Sequence, residues 1–113
     1  MTEEEFEEAV TEAIESLPTD LRGFMSNVAI VLEDDAPPGS RLLGLYQGVP
    51  LTARTSGYGA VLPDKITIYR RPLERLARGD SLRLRRQIRR TVLHEVAHHF
   101  GISDERLREL DRY

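Results

Sequence analysis

Leu84, Ile88, Val92, Leu93, Val96, Ala97 and Phe100 recur at helical spacing for about five turns, starting after a capping Asp80 or Ser81 and stopping at Gly101. A helix of that length with one apolar stripe must bury it against other parts of the chain. The chain has 113 residues, 40% of them hydrophobic, which is enough for one core and one domain over residues 1–113. It has no cysteine. Disulfides, iron-sulfur clusters, thiolate zinc sites and a cysteine nucleophile are therefore excluded together, and any metal must be held by His, Asp or Glu.

The partners for that stripe can be read in order. Thr2 and Glu5 form a capping-box pattern, and Phe6, Ala9, Val10, Ala13, Ile14 and Leu17 follow at helical spacing until Pro18. After a loop around Pro18 to Gly23, the β-branched "NVAIVLED" predicts a buried strand over 28–33, and "LLGLYQGV" a second over 43–47. Residues 48–63 are rich in Gly, Pro, Thr and Ser and are expected to be a long connection. In "DKITIYRR", Ile66 and Ile68 point one way and Thr67 and Tyr69 the other, which suits a sheet covered by helices on one face; if this strand is the sheet edge, it could hold an extended peptide. Pro72 opens a short helix closing at Gly79, and Ser103 or Asp104 starts a last one through "ERLRELDRY".

The long helix carries the chemistry. His94 and His98 are four residues apart, so both imidazoles lie on one face and can share one ion. Glu95, next round the helix, is placed to touch a water held there and is the candidate general base. A catalytic zinc usually takes three protein ligands. Gly101 can turn the chain out of the helix, and Asp104 then returns toward the same point with less rearrangement than Glu105, Glu109 or Asp111 would need. His99 is turned about 100° from His98 and is expected at the surface or in a supporting role. Tyr46, Tyr58, Tyr69 and Tyr113 are candidates to stabilise an oxyanion.

The run "HEVAHHFGISD" fits HExxHxxGxxD, the extended zinc motif of metzincin-like peptidases with aspartate as third ligand. With "GLYQGVPL" and "LPDKITIYRRP", nearly the whole chain resembles a small bacterial family of minimal zincin-like proteins, described as zinc metallopeptidases. The resemblance implies an α+β, zincin-like fold: a small mixed sheet with an antiparallel edge strand, packed on an N-terminal helix and a long active-site helix. It carries Zn2+ binding to His94, His98 and Asp104 and catalysis to Glu95. One departure from the larger metzincins is plain: Met1 and Met25 are the only methionines, so no Met-turn follows the motif. No C-terminal subdomain is expected to wall the cleft.

Charge is unevenly spread, with seven glutamates in residues 3–15 and six arginines in residues 78–90. In a helix Arg83, Arg86 and Arg90 share one face, which is read as solvated, with the acidic first helix as a neighbour. No nucleic-acid partner is expected. The acidic, amphipathic N-terminus is unlike a secretory signal, and no stretch reaches the roughly 18 apolar residues of a membrane span. The expectation is a cytoplasmic zinc-dependent peptidase acting on a peptide or protein substrate. The rival is a non-catalytic module that keeps zinc for stability, binding or regulation.

Overall fold

A computed structural model describes residues 1–49 and 64–106, with the backbone alone at positions 20 and 24. Tyr58, Glu109, Asp111 and Tyr113 lie outside these residues, as do most of the connection over 48–63 and the end of the last short helix.

Helix α1 (Glu3–Glu15) begins at the expected capping box, where the Glu5 N–H donates to the Thr2 hydroxyl at 3.1 Å and the Thr2 N–H donates to Glu5 Oε1 at 3.2 Å. Its inward face buries Phe6, Ala9, Val10 and Ala13. The segment after Pro18, read as a loop, coils instead into α2 (Thr19–Arg22) and a 3-10 turn at Gly23–Met25. Pro18 presets the entry, and its carbonyl accepts from the N–H groups of both Leu21 and Arg22 at 3.0 Å.

Three strands follow: β1 (Val28–Glu33), β2 (Gly44–Gln47) and β3 (Asp64–Tyr69), in the spatial order β1-β3-β2. β3 runs parallel to β1, with Val28 opposite Asp64, and antiparallel to β2, with Gly44 opposite Ile68. The expectation that β3 is an edge is therefore overturned. Its Ile-Thr-Ile-Tyr alternation suggests one wet face, yet Thr67 and Tyr69 are buried along with Ile66 and Ile68, as befits a strand paired on both sides. β1, read as buried, is only half-buried, and β3 is its one sheet neighbour among the described residues. The antiparallel edge strand is β2.

Helix α3 (Arg70–Ala77) starts directly after β3, and Arg70 and Arg71 reach back to Asp34 and Asp35 at 2.9 and 2.6 Å. It closes through a left-handed Arg78 (φ 51°). Asp80 then caps α4 (Ser81–His99), accepting from the N–H groups of Leu82 and Arg83 at 3.0 and 3.1 Å, and these bonds hold its carboxyl below the usual range. Ile88 and Val92 on α4 are fully buried, packed in one core with Phe6, Ile66, Ile68 and Leu73. The acidic and basic helices are neighbours, joined by Arg85 and Glu12 at 3.3 Å. No described helix is long and apolar enough to cross a membrane.

The close approach of α4 to β2 depends on Gly44. A Cβ there would lie 2.8 Å from Thr91 Cγ2, 3.1 Å from the Thr67 carbonyl oxygen and 3.2 Å from Glu95 Cγ. Gly44→Ala is expected to lower the unfolding free energy by about 1–3 kcal/mol, the range for overpacking a tight contact. Urea denaturation measures this, and an unchanged midpoint would mean that α4 is not seated against β2 in this way.

Candidate metal centre

Successive residues of α4 are turned by about 100°, so a helix that buries Val92 and Val96 must send its neighbours in defined directions. His94 and His98 emerge side by side at the rim, their ring centroids 4.6 Å apart and the planes inclined at 72°. Glu95 points instead under β2, where its Oε1 accepts the backbone N–H of Tyr46 at 3.0 Å. The same oxygen lies 3.1 Å from His98 Nδ1. In the tautomer with its hydrogen on Nδ1, the His98 ring donates to this oxygen.

What returns the chain to this face is the end of α4. Gly101 is left-handed (φ 84°), the Ile102 N–H reaches the Ala97 carbonyl at 2.9 Å, and the Gly101 N–H reaches that of His98 at 2.9 Å. These are the two bonds of a Schellman stop. Ser103 then accepts the N–H of Arg106 at 3.2 Å, opening the helical turn on which Asp104 sits. Asp104 Oδ1 lies 2.8 Å from Nε2 of His94 and 2.8 Å from Nε2 of His98. The hydrogen bond from His98, with the pull of His94, holds the Asp104 carboxyl below its usual range, against a smaller opposing effect of burial.

The structure thus brings together all four residues singled out in the sequence. His94, Glu95 and His98 each offer an atom within 4.8 Å of the others and can form a metal-holding group. Asp104 adds a second carboxylate beside the same two histidines. Both Nε2 atoms stand 2.8 Å from Asp104 Oδ1, while Glu95 Oε1 faces the opposite nitrogen of the His98 ring. Side-chain exposure falls from 66% at Asp104 and 42% at His94 to 24% at His98 and 8% at Glu95. The site is a shallow surface feature with a carboxylate in its floor.

Among the tyrosines, Tyr46 directs its hydroxyl to Asp64 at 2.8 Å. Tyr69 is buried, which pushes its phenol up, and the carboxylates of Glu33 and Glu95 add to the shift. His99, expected at the surface or as a support, is buried and bonded through Nδ1 to the buried Asp64 Oδ2 at 2.8 Å. Asp64 was not singled out in the sequence. The available signs were only a charged residue opening an apolar strand and a second histidine directly after a first.

The family of zincin-like metallopeptidases matches residues 25–113, well over half the chain, and the chain belongs to that family. No curated protein matches it.

Gly101→Ala forces a side chain into the left-handed region and is expected to cost about 1 kcal/mol of stability. Urea titration checks this; a neutral effect would remove the account of how Asp104 reaches the histidines.

Proposed function

We propose that the chain is a zinc-dependent peptidase in which His94, His98 and Asp104 hold the ion and Glu95 is the general base. The observation that carries this is the convergence of two imidazole Nε2 atoms on one carboxylate oxygen, each at 2.8 Å. Two nitrogens and an oxygen gathered so closely could all be ligands of a single zinc ion. Two histidines and a carboxylate are a donor set typical of catalytic zinc, which keeps a fourth position open. Zinc, when bound, supplies Lewis acidity toward a peptide carbonyl and lowers the pKa of water toward about 7.

The protein's own residues do the rest. Both hydrogen bonds to Glu95 fall on Oε1, which pins the carboxylate to β2 and to His98. Every fully buried side-chain nitrogen or oxygen among the described residues has a partner, so Oε2, which has none among them, is the oxygen that meets solvent. Glu95 accepts a proton from water at Oε2 as the water oxygen bonds to the peptide carbonyl carbon. It returns that proton to the amide nitrogen as the carbon–nitrogen bond breaks.

The substrate is an extended peptide lying along β2. Leu43 accepts from Tyr69 across the β2–β3 pair, so in an antiparallel ladder the alternate residues Gly44 and Tyr46 turn their backbone groups to the outer edge, where the Tyr46 N–H is already given to Glu95 and a peptide would pair through Gly44. That edge adjoins Glu95, and strand addition there would lay a peptide bond beside Oε2.

One observation favours the non-catalytic rival. A carboxylate that accepts from the far nitrogen of a histidine ligand is also how proteins orient such ligands, so Glu95 could serve His98 alone. A single set of variants separates the two. The wild type is expected to bind one zinc per chain and to cleave members of a mixed peptide library. Glu95→Gln should keep zinc and fold while hydrolysis drops by roughly 10²- to 10⁴-fold, and Asp104→Ala should lose zinc first. If Glu95→Gln releases zinc as readily as Asp104→Ala, Glu95 is a support for the ligands and the peptidase mechanism is wrong.

A further inference from the structure

Asp64 is a buried carboxylate, 1% exposed, on the first residue of the central strand. One of its oxygens, Oδ2, takes both the Tyr46 hydroxyl and His99 Nδ1 at 2.8 Å. The Tyr46 ring also stands edge-on to the His99 ring, centroids 5.7 Å apart and planes at 62°. Burying a charged group with polar partners costs desolvation that an apolar cluster of the same size avoids. The polarity of the Asp64 cluster therefore calls for a use beyond filling space.

Its connections supply one. Tyr46 is bonded at both ends: through its hydroxyl to Asp64, and through its backbone N–H to Oε1 of Glu95. His99 is the residue directly after His98, so tying His99 to Asp64 on the inner side sets the rotation of α4 at the turn that presents His98 outward. Three elements, the start of β3, the edge β2 and the end of α4, are thereby locked at one buried oxygen. We propose that Asp64 and His99 are positioning residues for the site, acting through Tyr46 on Glu95 and through the α4 backbone on His98. For hydrolysis this rests on the peptidase reading above, but the positioning is a property of the chain with or without that activity.

The test uses Tyr46→Phe, which keeps the ring and removes only the hydroxyl, alongside Asp64→Asn. Val10→Ala serves as a control that weakens the core at α1, away from the site. Amide hydrogen exchange in the 15N-labelled metal-free protein reads the position-46 N–H directly. The Tyr69 N–H, bonded to Leu43, reports the same sheet independently. Absorption spectra of the Co2+-loaded proteins read ligand geometry, and kcat and KM on the best library peptide read catalysis.

In Tyr46→Phe the position-46 amide is expected to exchange about tenfold faster or more, beyond any change at Tyr69. The Co2+ spectrum should shift, and kcat should fall by roughly 10- to 100-fold, as for other lost supports of a metal site, with KM nearly unchanged. Val10→Ala should lose stability and show none of these. Wild-type exchange at position 46 and an unshifted Co2+ spectrum in Tyr46→Phe would overturn the proposal, and so would the same changes appearing in Val10→Ala. Should the wild type cleave no peptide, the peptidase reading fails by itself, while exchange and the Co2+ spectrum still decide the positioning role. If Asp64→Asn does not fold, Tyr46→Phe carries the decision.

Discussion

Because neighbouring residues on α4 are turned by about 100°, burying Ile88, Val92 and Val96 decides where every other side chain of that helix points. Each such residue contributes about 1.5–3 kcal/mol when fully buried, so turning the helix by one residue would forfeit several kcal/mol. It would also take both imidazole Nε2 atoms away from Asp104 at the rim. The apolar stripe therefore sets the site indirectly: Glu95 faces β2, the two histidines reach the rim, and His99 is sent inside. Gly44 completes the arrangement by letting Thr91 and Glu95 come close to the edge strand.

Electrostatics contributes less to that framework than the charge distribution suggests. The acidic α1 and basic α4 do meet, but Arg85 and Glu12 are 40% and 66% exposed, and such pairs are worth about 0–1 kcal/mol. Phe6, Val10 and Ala13 in the core hold α1 in place, and the charges keep its outer face wet. The pairs from Arg70 and Arg71 to Asp34 and Asp35 are similarly open to solvent. Their use is geometric, since they tie the segment leaving β1 to the start of α3 and so fasten the far ends of two parallel strands.

Local signals made much of this legible in the sequence. Helices α1 and α4 announce themselves by caps and periodicity, β1 by a β-branched run, and the approach of His94, Glu95 and His98 by spacing on one helix. The return of Asp104 was also foreseeable, because Gly101 supplies the turn within a few residues. What depended on distant partners was not. The central place of β3 rests on its pairing with both β1 and β2, and an Ile-Thr-Ile-Tyr alternation is equally at home on an edge. The Asp64–His99 pair joins residues 35 positions apart, and neither residue type is expected inside a core.

The two halves of the site differ in how they are held. His94 and His98 are fixed by a 19-residue helix packed into the core, whereas Asp104 is 66% exposed on a turn secured by the Schellman bonds and Ser103. Its Oδ1 stands at the point on which the two histidine Nε2 atoms converge, 2.8 Å from each. Under the proposed function, these three atoms must be free of protons to hold an ion, so binding weakens as pH falls. An ion so held would clamp the rigid helix to the segment beyond Gly101. Affinity for metal and order at the end of α4 are then two measures of one equilibrium, since an ion bound by the native arrangement alone stabilises that arrangement.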